Sequence, residues 1–506
     1  MPERTAARTP LPGLPIGPRG APPLRLFVIW LSAPAGKPCA GGPLESFHGA
    51  AYQNNRAVSG SCEVPQAPVA RRGVRLRQVA RLAGPVVLTS ATTLVLGLTD
   101  TALLGHDSIE SLGVAALVLP VWIFCTALVV PWGSATQILV ARRHGGGDTD
   151  GVQTLAAAGL IGAVGVGAVA ALAAAVAAPV IVAVTAPARL DRGEATVMLW
   201  ILLCGLPFTA VTAHLRGVLA GTSDTKSSAR IAVAVAALNM ALSSILIFAA
   251  GLGPVGSAIG STAAVAAGAL ALIPRVRETS GLVAVFARPD RAVWRAWTAL
   301  AVPDVVFGVV SYGGDAVVAA VVARAGTVSL AAHRVMGLAI SLVWVFVFGI
   351  GVAIAVLAGQ RLGADDDRGR RAVVRAGAVL MIGASCAVAL LLTALSPAWF
   401  RLLASDAAVS VAGRGVVWSL PVLAPIMAVD TIYAAQLRAA GNTKAVMYAS
   451  LFSVICVTLP AVWVLAMVWH WGLPGVYLGI VAGWIARTAA TYQRWRARAG
   501  TDRPRR

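Results

Sequence analysis

Four aspartates, Asp100, Asp304, Asp315 and Asp430, and three arginines, Arg216, Arg334 and Arg414, stand inside long runs of Ala, Val, Leu, Ile and Gly, and His214 stands in another. A lone carboxylate in such surroundings, as in TTLVLGLTDTALLG at 92–105, is costly enough that it usually faces a cavity or a partner and marks the path of an ion or substrate. Burial disfavours the charged form, so an acid of this kind suits uptake and release of a proton. Asp304 follows Pro303 near the start of its run and reads as a helix N-terminal charge favoured by the dipole. Asp315 comes about three helical turns later, on a plausible common face. Arg334 at the start of the next run is a candidate charge-pair partner for Asp315, a pairing that would neutralise both without any role in transport. Asp315 and Asp430 otherwise read as cavity residues that attract a cation or compensate an arginine. His214 reads as a helix-contact histidine and Arg414 as a snorkelling interface residue.

Little else in the chain has the pattern of chemistry. The six cysteines, at 40, 62, 125, 204, 386 and 456, have neither metal-site nor disulfide-framework spacing. The Gly-rich stretches RRHGGGD and RLGADDD lack the preceding strand of a phosphate-binding loop and read as tight hairpins. There is no GxxxxGK[ST] motif and no clustered His, Cys and Glu set, so no cofactor or metal is expected and the chain does not read as an enzyme.

The elements that must hold these charges follow from composition. Hydrophobic residues make up 58% and charged ones 12% of the 506 residues, against roughly 25% charged in soluble domains. Apolar runs long enough to cross a bilayer recur near 82–104, 112–139, 153–184, 195–219, 231–250, 255–273, 298–322, 329–356, 372–395, 413–437, 446–469 and 475–488. The fold class is therefore an all-α polytopic membrane protein with twelve transmembrane helices. The net charge of +20 sits in short loops and not on a soluble domain, which argues against nucleic acid as a partner. One alternating set of loops, with RRGVRLR, ARRHGGGD, PRVRETS and QRLGADDDRGRR, is strongly basic, whereas the other holds Arg189, Arg192, Arg324 and Arg401. The positive-inside rule places the basic set and both termini in the cytoplasm, with the chain in the cell's inner (plasma) membrane. Residues 1–75, rich in Pro, Gly, Ala and Ser, read as a disordered cytoplasmic extension, 276–297 as a charged linker and 491–506 as a basic tail.

The two halves, 76–275 and 298–490, read as copies. The offset that lays Pro85 on Pro303 also lays Gly133 on Gly351, Arg143 and Gly145 on Arg361 and Gly363, Pro207 on Pro425, and LAGTSDTK on LRAAGNTK, without a gap. Two pseudo-symmetric six-helix bundles with a cavity between them are one arrangement used for alternating access. Proline within a span removes a helical hydrogen bond, so Pro85 and its mates mark places able to bend. Asp100 falls on Val318, so the halves differ where chemistry would occur.

The stretches LAGPVVLTSATTLVLGLTDTALLG, SLGVAAL, QILVARRHGGGD and LAGTSDTK, repeated in the second half as SLAAHRV, VLAGQRLGADDD and LRAAGNTK, resemble the multidrug and toxic compound extrusion (MATE) transporters. The resemblance covers about residues 76 to 490. It implies export of small amphipathic or cationic organic compounds by cation antiport, without ATP hydrolysis, from a chain expected to act as a monomer among membrane lipids. It also implies an ion site built on Asp100 with Asn239, Ser243 and Ser261 from the fifth and sixth spans. Ser243 stands where some members carry a second aspartate and Ser261 where they carry threonine. The acids that sodium-dependent members carry in the second half fall on Ser311 and Met427. With one carboxylate and polar neighbours the site favours H+ over Na+ and places the chain nearer the DNA-damage-inducible-protein-like bacterial and archaeal branch than the sodium-dependent one. Na+-coupled efflux by the same fold, and a lipid-linked-precursor flippase, are the alternatives.

Overall fold

The computed structural model describes residues 72–185, 191–281, 291–403 and 407–501, and all regular structure among them is helical. Twelve helical segments are long and apolar enough to cross a membrane. Spans 1 to 6 are Leu76–Asp107, Gly113–Gly145, Thr149–Val184, Arg192–Gly221, Thr225–Ala249 and Gly253–Ser280. Spans 7 to 12 are Arg291–Arg324, Thr327–Gly363, Asp367–Ala394, Ser419–Ala439, Thr443–Val468 and Gly472–Arg498. Span 4 starts from an Asp191 cap and is interrupted at Gly205, just before Pro207, whereas span 10 is one helix with Pro425 inside it.

Several helices outrun the apolar stretches. The helix of span 1 begins at Arg72, inside the extension read as disordered, and the rest of that extension lies outside the described residues. The linker read as 276–297 is shortened from both sides, because span 6 runs to Ser280 and span 7 starts at Arg291; residues 282–290 lie outside the described residues. The helix of span 12 continues to Thr501, through most of the basic tail. Hydropathy marks the hydrocarbon slab, whereas helical hydrogen bonding continues into the interface, where Arg and Lys are good helix formers.

The hairpins between spans 2 and 3, 4 and 5, 8 and 9, and 10 and 11 share one end of the molecule, here called the basic end. They are built in matching pairs. Gly147 and its mate Asp365 take φ of +76° and +52°, and Ser223 and its mate Gly441 take +72° and +71°. Asp148 Oδ1 accepts from the Gly151 N–H at 2.8 Å and Asp366 Oδ1 from the Gly369 N–H at 2.7 Å. Arg143 and Arg361 lie 3.9 and 2.8 Å from the remaining oxygens of the same two aspartates. Asp224 and Asn442 cap spans 5 and 11 by accepting from the N–H groups of Ser227 and Ala445.

Each half encloses its own apolar core, and at the basic end each lends its first helix to the other. Val79, Leu82 and Ala83 of span 1 are buried in the second core, and their mates Trp297, Leu300 and Ala301 of span 7 are buried in the first. Trp297 donates its indole N–H toward the Trp132 carbonyl and Thr136 Oγ1, each at 3.0 Å. Further from that end, Gly349 lies against Val87, and Gly308 faces Ala127.

Candidate functional site

Asp100 sits about two turns from the far end of span 1 and is 7% exposed. Spans 5 and 6 bring it two donors. Asn239 Nδ2 donates to Oδ1 at 3.0 Å and Ser261 Oγ donates to Oδ2 at 3.2 Å. Ser243, one turn beyond Asn239 on the same face, donates to Asn239 Oδ1 at 3.3 Å. That bond orients the amide so that its NH2 group, and not its oxygen, meets the carboxylate. Asn239 and Ser243 are buried, and no Lys, Arg or His forms an ion pair with Asp100 among the described residues. The four residues singled out for one site are thus joined in a hydrogen-bonded chain running Ser243, Asn239, Asp100, Ser261. Just beyond Ser243, span 5 ends in a π-helical turn, Ile245–Ala249, a local widening that is frequent at functional sites. Close packing of span 6 on span 5 depends on Gly260, where a Cβ would crowd Ser243.

The second bundle handles its acids differently. Asp430, on span 10, is fully buried, and its Oδ2 lies 3.1 Å from Arg487 Nε of span 12. Thr491 Oγ1, one turn on, donates to Asp430 Oδ1 at 2.9 Å. The Arg487 guanidinium lies over the rings of Trp484 and Phe307, 4.8 and 4.9 Å from their centroids. Phe307 also carries Arg438 at 5.4 Å, and Arg438 Nη2 is 3.4 Å from Asp304 Oδ1. Two carboxylates and two guanidinium groups therefore surround one phenyl ring. Asp304 is not a helix N-terminal charge, since its helix begins at Arg291; it is the acid of an ion pair.

The expected pair of Asp315 and Arg334 does not form. Both side chains are exposed, and neither has an ion-pair partner among the described residues. Measured from the ends of spans 7 and 8 the two lie within about 3 Å of the same depth, at 1.5 Å per residue, so the discrepancy is one of rotation about the helix axes. Asp315 lies about two turns along span 7 from Gly308, which faces Ala127 of the first bundle. Seven residues apart, Asp315 and Gly308 lie on the same face of the helix. His214 is fully buried, with Nε2 2.9 Å from the Ala156 carbonyl and Nδ1 2.9 Å from Thr136 Oγ1. It tethers spans 2, 3 and 4 and lies far from Asp100 along the span. Arg216, one turn before the basic end of span 4, has an Nε without a hydrogen-bond partner and no carboxylate within ion-pair reach among the described residues. Arg487, Thr491 and Arg438 escaped the sequence reading. The signal available was an arginine, Arg487, inside the last apolar run at 475–488, next to the basic tail.

No group of three or more His, Cys, Asp and Glu side chains able to hold a metal ion occurs among the described residues. The four cysteines there, 125, 204, 386 and 456, are free.

Comparison with known proteins places this architecture. A probable multidrug resistance protein NorM of Caulobacter vibrioides is 28% identical over 444 residues, covering 84% of this chain and 92% of that protein. A second, of Deinococcus radiodurans, is 29% identical over 436 residues, covering 82% and 94%. In three dimensions the chain superimposes with a TM-score of 0.78 on the outward-facing conformation of a multidrug resistance MATE family transporter of the MOP superfamily, at 18% identity and covering 84% of this chain and 96% of that one. That likeness is one of fold, twelve helices in two bundles of six. The family model MatE matches twice, over residues 85–245 and again over 306–464, as the repeat of motifs anticipates. Those two matches together take in more than half of the residues, and the chain belongs to the MatE family of membrane transport proteins.

Proposed function

We propose that this protein is a secondary active exporter of amphipathic and cationic organic compounds, driven by proton antiport through Asp100, with its basic end in the cytoplasm. The observation that carries the reading is the Asp100 site: a buried carboxylate whose two oxygens accept from neutral donors and which has no cation to neutralise it among the described residues. Such a group has two ways to become neutral, a proton or a cationic ligand. If the two compete for one charge, each lowers the affinity for the other, and that reciprocal linkage exchanges them across the membrane without ATP. A hard cation such as Na+ takes several oxygen ligands, whereas here an amide NH2 faces the acid. This supports H+ and the branch of the family that lacks acids at Ser311 and Met427. Similarity to the NorM proteins, named for multidrug resistance, supports the substrate class.

The cycle follows. With the bundles parted at the basic end, ionised Asp100 holds the cationic amphipath. With them parted at the other end, protonation removes the charge and the substrate leaves. The contacts at the basic end correspond to the second of these states.

Purified protein in liposomes, with either a pH gradient or a Na+ gradient and a fluorescent organic cation inside, tests the reading. Wild type should export on the pH gradient alone, and Asp100→Asn should insert normally but lose that export, about a hundredfold or more if the coupling charge is essential. Export driven by Na+ alone would overturn the ion assignment, and undiminished export by D100N would remove Asp100 from the mechanism. Orientation is tested separately by impermeant labelling of single cysteines at His106 and Arg368 in intact cells; labelling of the second and not the first would reverse it.

A further inference from the structure

The two bundles are fastened at the basic end by hydrogen bonds that obey the repeat. Arg142, in the last turn of span 2, donates Nε–H to the carbonyl of Ala439 at 2.8 Å. Gln360, in the last turn of span 8, donates Nε2–H to the carbonyl of Gly221 at 2.7 Å and to Ser223 Oγ at 2.9 Å. The offset that relates the halves lays Arg142 on Gln360, Gly221 on Ala439 and Ser223 on Gly441, so each bond is the mate of the other. Arg142 in turn lies over Gly441. Ala439 and Gly221 are the last residues of their helices, and their carbonyls are among those that a helix leaves unpaired. The backbone beside each bond is pressed against its mate as well: a Cβ at Gly145 would strike the Gln360 backbone, and one at Gly363 would strike that of Arg142.

We propose that Arg142 and Gln360 form a paired latch that holds the basic end shut by capping, each from its own bundle, the C-terminal carbonyl of a helix in the other. The latch rests on the reading that the bundles part at this end during transport. Because the capped groups are backbone carbonyls, the latch needs a donor at each position, and the two donors can trade places. Arg142 adds a charge at a helix C-terminus, which the dipole favours, so it is the stronger half.

Spin labels at the exposed mates Asp150 and Arg368, in a cysteine-free background, report the separation of the bundles. Wild type should show a dominant short distance. Gln360→Ala should raise the open-to-closed ratio about fivefold, and Arg142→Ala about tenfold or more, the usual difference between neutral and charged donors. The swap R142Q/Q360R should restore the wild-type distribution, and Gly145→Ala, which leaves both donors in place, should open the end as a wedge. An unchanged distribution in R142A/Q360A overturns the latch. Labels that keep one separation in wild type and in every variant, with and without substrate, overturn alternating access at this end and the functional reading with it.

A second observation stands apart from transport. On the outer side of span 10, between spans 9 and 12 at the basic end, lies a groove of about 410 Å³. Its rim carries Arg371, Arg375, Gln436, Tyr433 and Trp495. Toward the middle of the span the lining becomes Ala378, Ile382, Val429 and Ile432. Both span 9 and span 10, running in opposite directions, thus read polar at the basic end and apolar deeper in. Trp495 donates to Gln436 at 3.1 Å and packs on Tyr433 with ring centroids 5.2 Å apart. Arg370 and Arg371 share one carboxylate, Asp367, and Arg375 has none among the described residues.

The geometry points to a bound anionic phospholipid, its phosphate on the surplus arginine charge under the Tyr433 and Trp495 rings and an acyl chain along the deeper groove. Basic pockets between helices, with aromatic residues at the interface, are the usual chemistry of headgroup capture. Native mass spectrometry of the full-length protein with equal phosphatidylglycerol and phosphatidylcholine should show phosphatidylglycerol retained at least fivefold over phosphatidylcholine. Arg371→Gln with Arg375→Gln should abolish that preference, whereas R275Q/R277Q, on the same end of span 6, should keep it. Equal retention of the two lipids by wild type, or a preference that survives R371Q/R375Q, overturns the site. Displacement by glycerol phosphate at the same concentration also overturns it, since the groove would then read free phosphate and not lipid.

Discussion

In the first bundle Asp100 accepts from Asn239 and Ser261, and neither it nor Arg216, in the same bundle, has an ion-pair partner among the described residues. In the second bundle Asp430 lies 3.1 Å from Arg487 and Asp304 lies 3.4 Å from Arg438, around a shared Phe307. The two bundles share hairpin geometry and side-chain caps at matching positions, so this contrast is not a by-product of different folds. A paired buried charge is neutral as it stands, and neither partner gains by binding something else. An unpaired one has a free choice of partner. The second bundle is thus electrically closed at Asp304 and Asp430, whereas the first is open to a proton or a cation at Asp100.

The largest effect should come from opening the closed bundle. Removing one partner of a buried pair leaves an uncompensated charge and typically costs about 3–5 kcal/mol. Asp430→Ala should therefore lower the thermal stability of detergent-solubilised protein by that order, because Arg487 has two aromatic faces but no second carboxylate among the described residues. The double variant D430A/R487M should recover most of the loss, since an apolar pair of similar volume is often neutral in place of a buried ion pair. A loss below about 1 kcal/mol in D430A would mean that the pair is solvated and the bundle not closed. Asp100→Asn should behave in the opposite way, with stability changed by less than about 1 kcal/mol because a neutral amide is cheaper to bury than an ion.

A smaller effect should come from giving the open bundle a second acid. Ser243 stands one turn from Asn239 and reaches the Asp100 network through it. Ser243→Asp would place two carboxylates about one amide and supply the oxygen ligands and charge that a hard cation requires. Na+ should then raise the melting temperature of S243D by a few degrees, as expected for a ligand that binds the folded state alone, and leave wild type unmoved. A Na+-dependent rise in wild type would show that the site already takes sodium.

The contrast between the bundles was only half legible in the sequence. Asp100 announced itself because no other charged residue stands between Arg81 and His106, and Asn239, Ser243 and Ser261 followed from motif resemblance; the structure joins the four in one hydrogen-bonded chain. The partners of Asp304 and Asp430 could not be read in the same way. Arg438 lies in the closing turn of span 10 and Arg487 near the end of the apolar part of span 12, where basic residues are ordinarily interfacial. Which face of a helix they occupy depends on rotations that apolar periodicity does not fix in a span buried on several sides. The same uncertainty produced the pairing of Asp315 with Arg334, correct in depth and wrong in rotation. Span number and the matched hairpins were legible because they depend on hydropathy and turn chemistry, both local.

Asp315 gives the smallest effect and the finest test of the comparison. It is the acid of the second bundle that no arginine neutralises among the described residues, and it continues the stripe of span 7 that meets the first bundle at Gly308. An exposed charge of this kind contributes little to folding, so Asp315→Asn should change stability by no more than about 0.5 kcal/mol. On the helix face that carries Gly308, its exposed negative charge should still attract an organic cation, and through partly screened surroundings that attraction is worth about 1 kcal/mol or less. D315N should therefore raise the apparent KM for a monovalent organic cation about two- to fivefold and leave the KM for a neutral amphipath unchanged. Arg334→Ala should shift neither, and D315N/R334A should equal D315N, because side chains that do not touch show no coupling. Coupling above about 0.5 kcal/mol between the two positions would restore the pair as a structural unit and leave Asp100 as the one acid facing substrate.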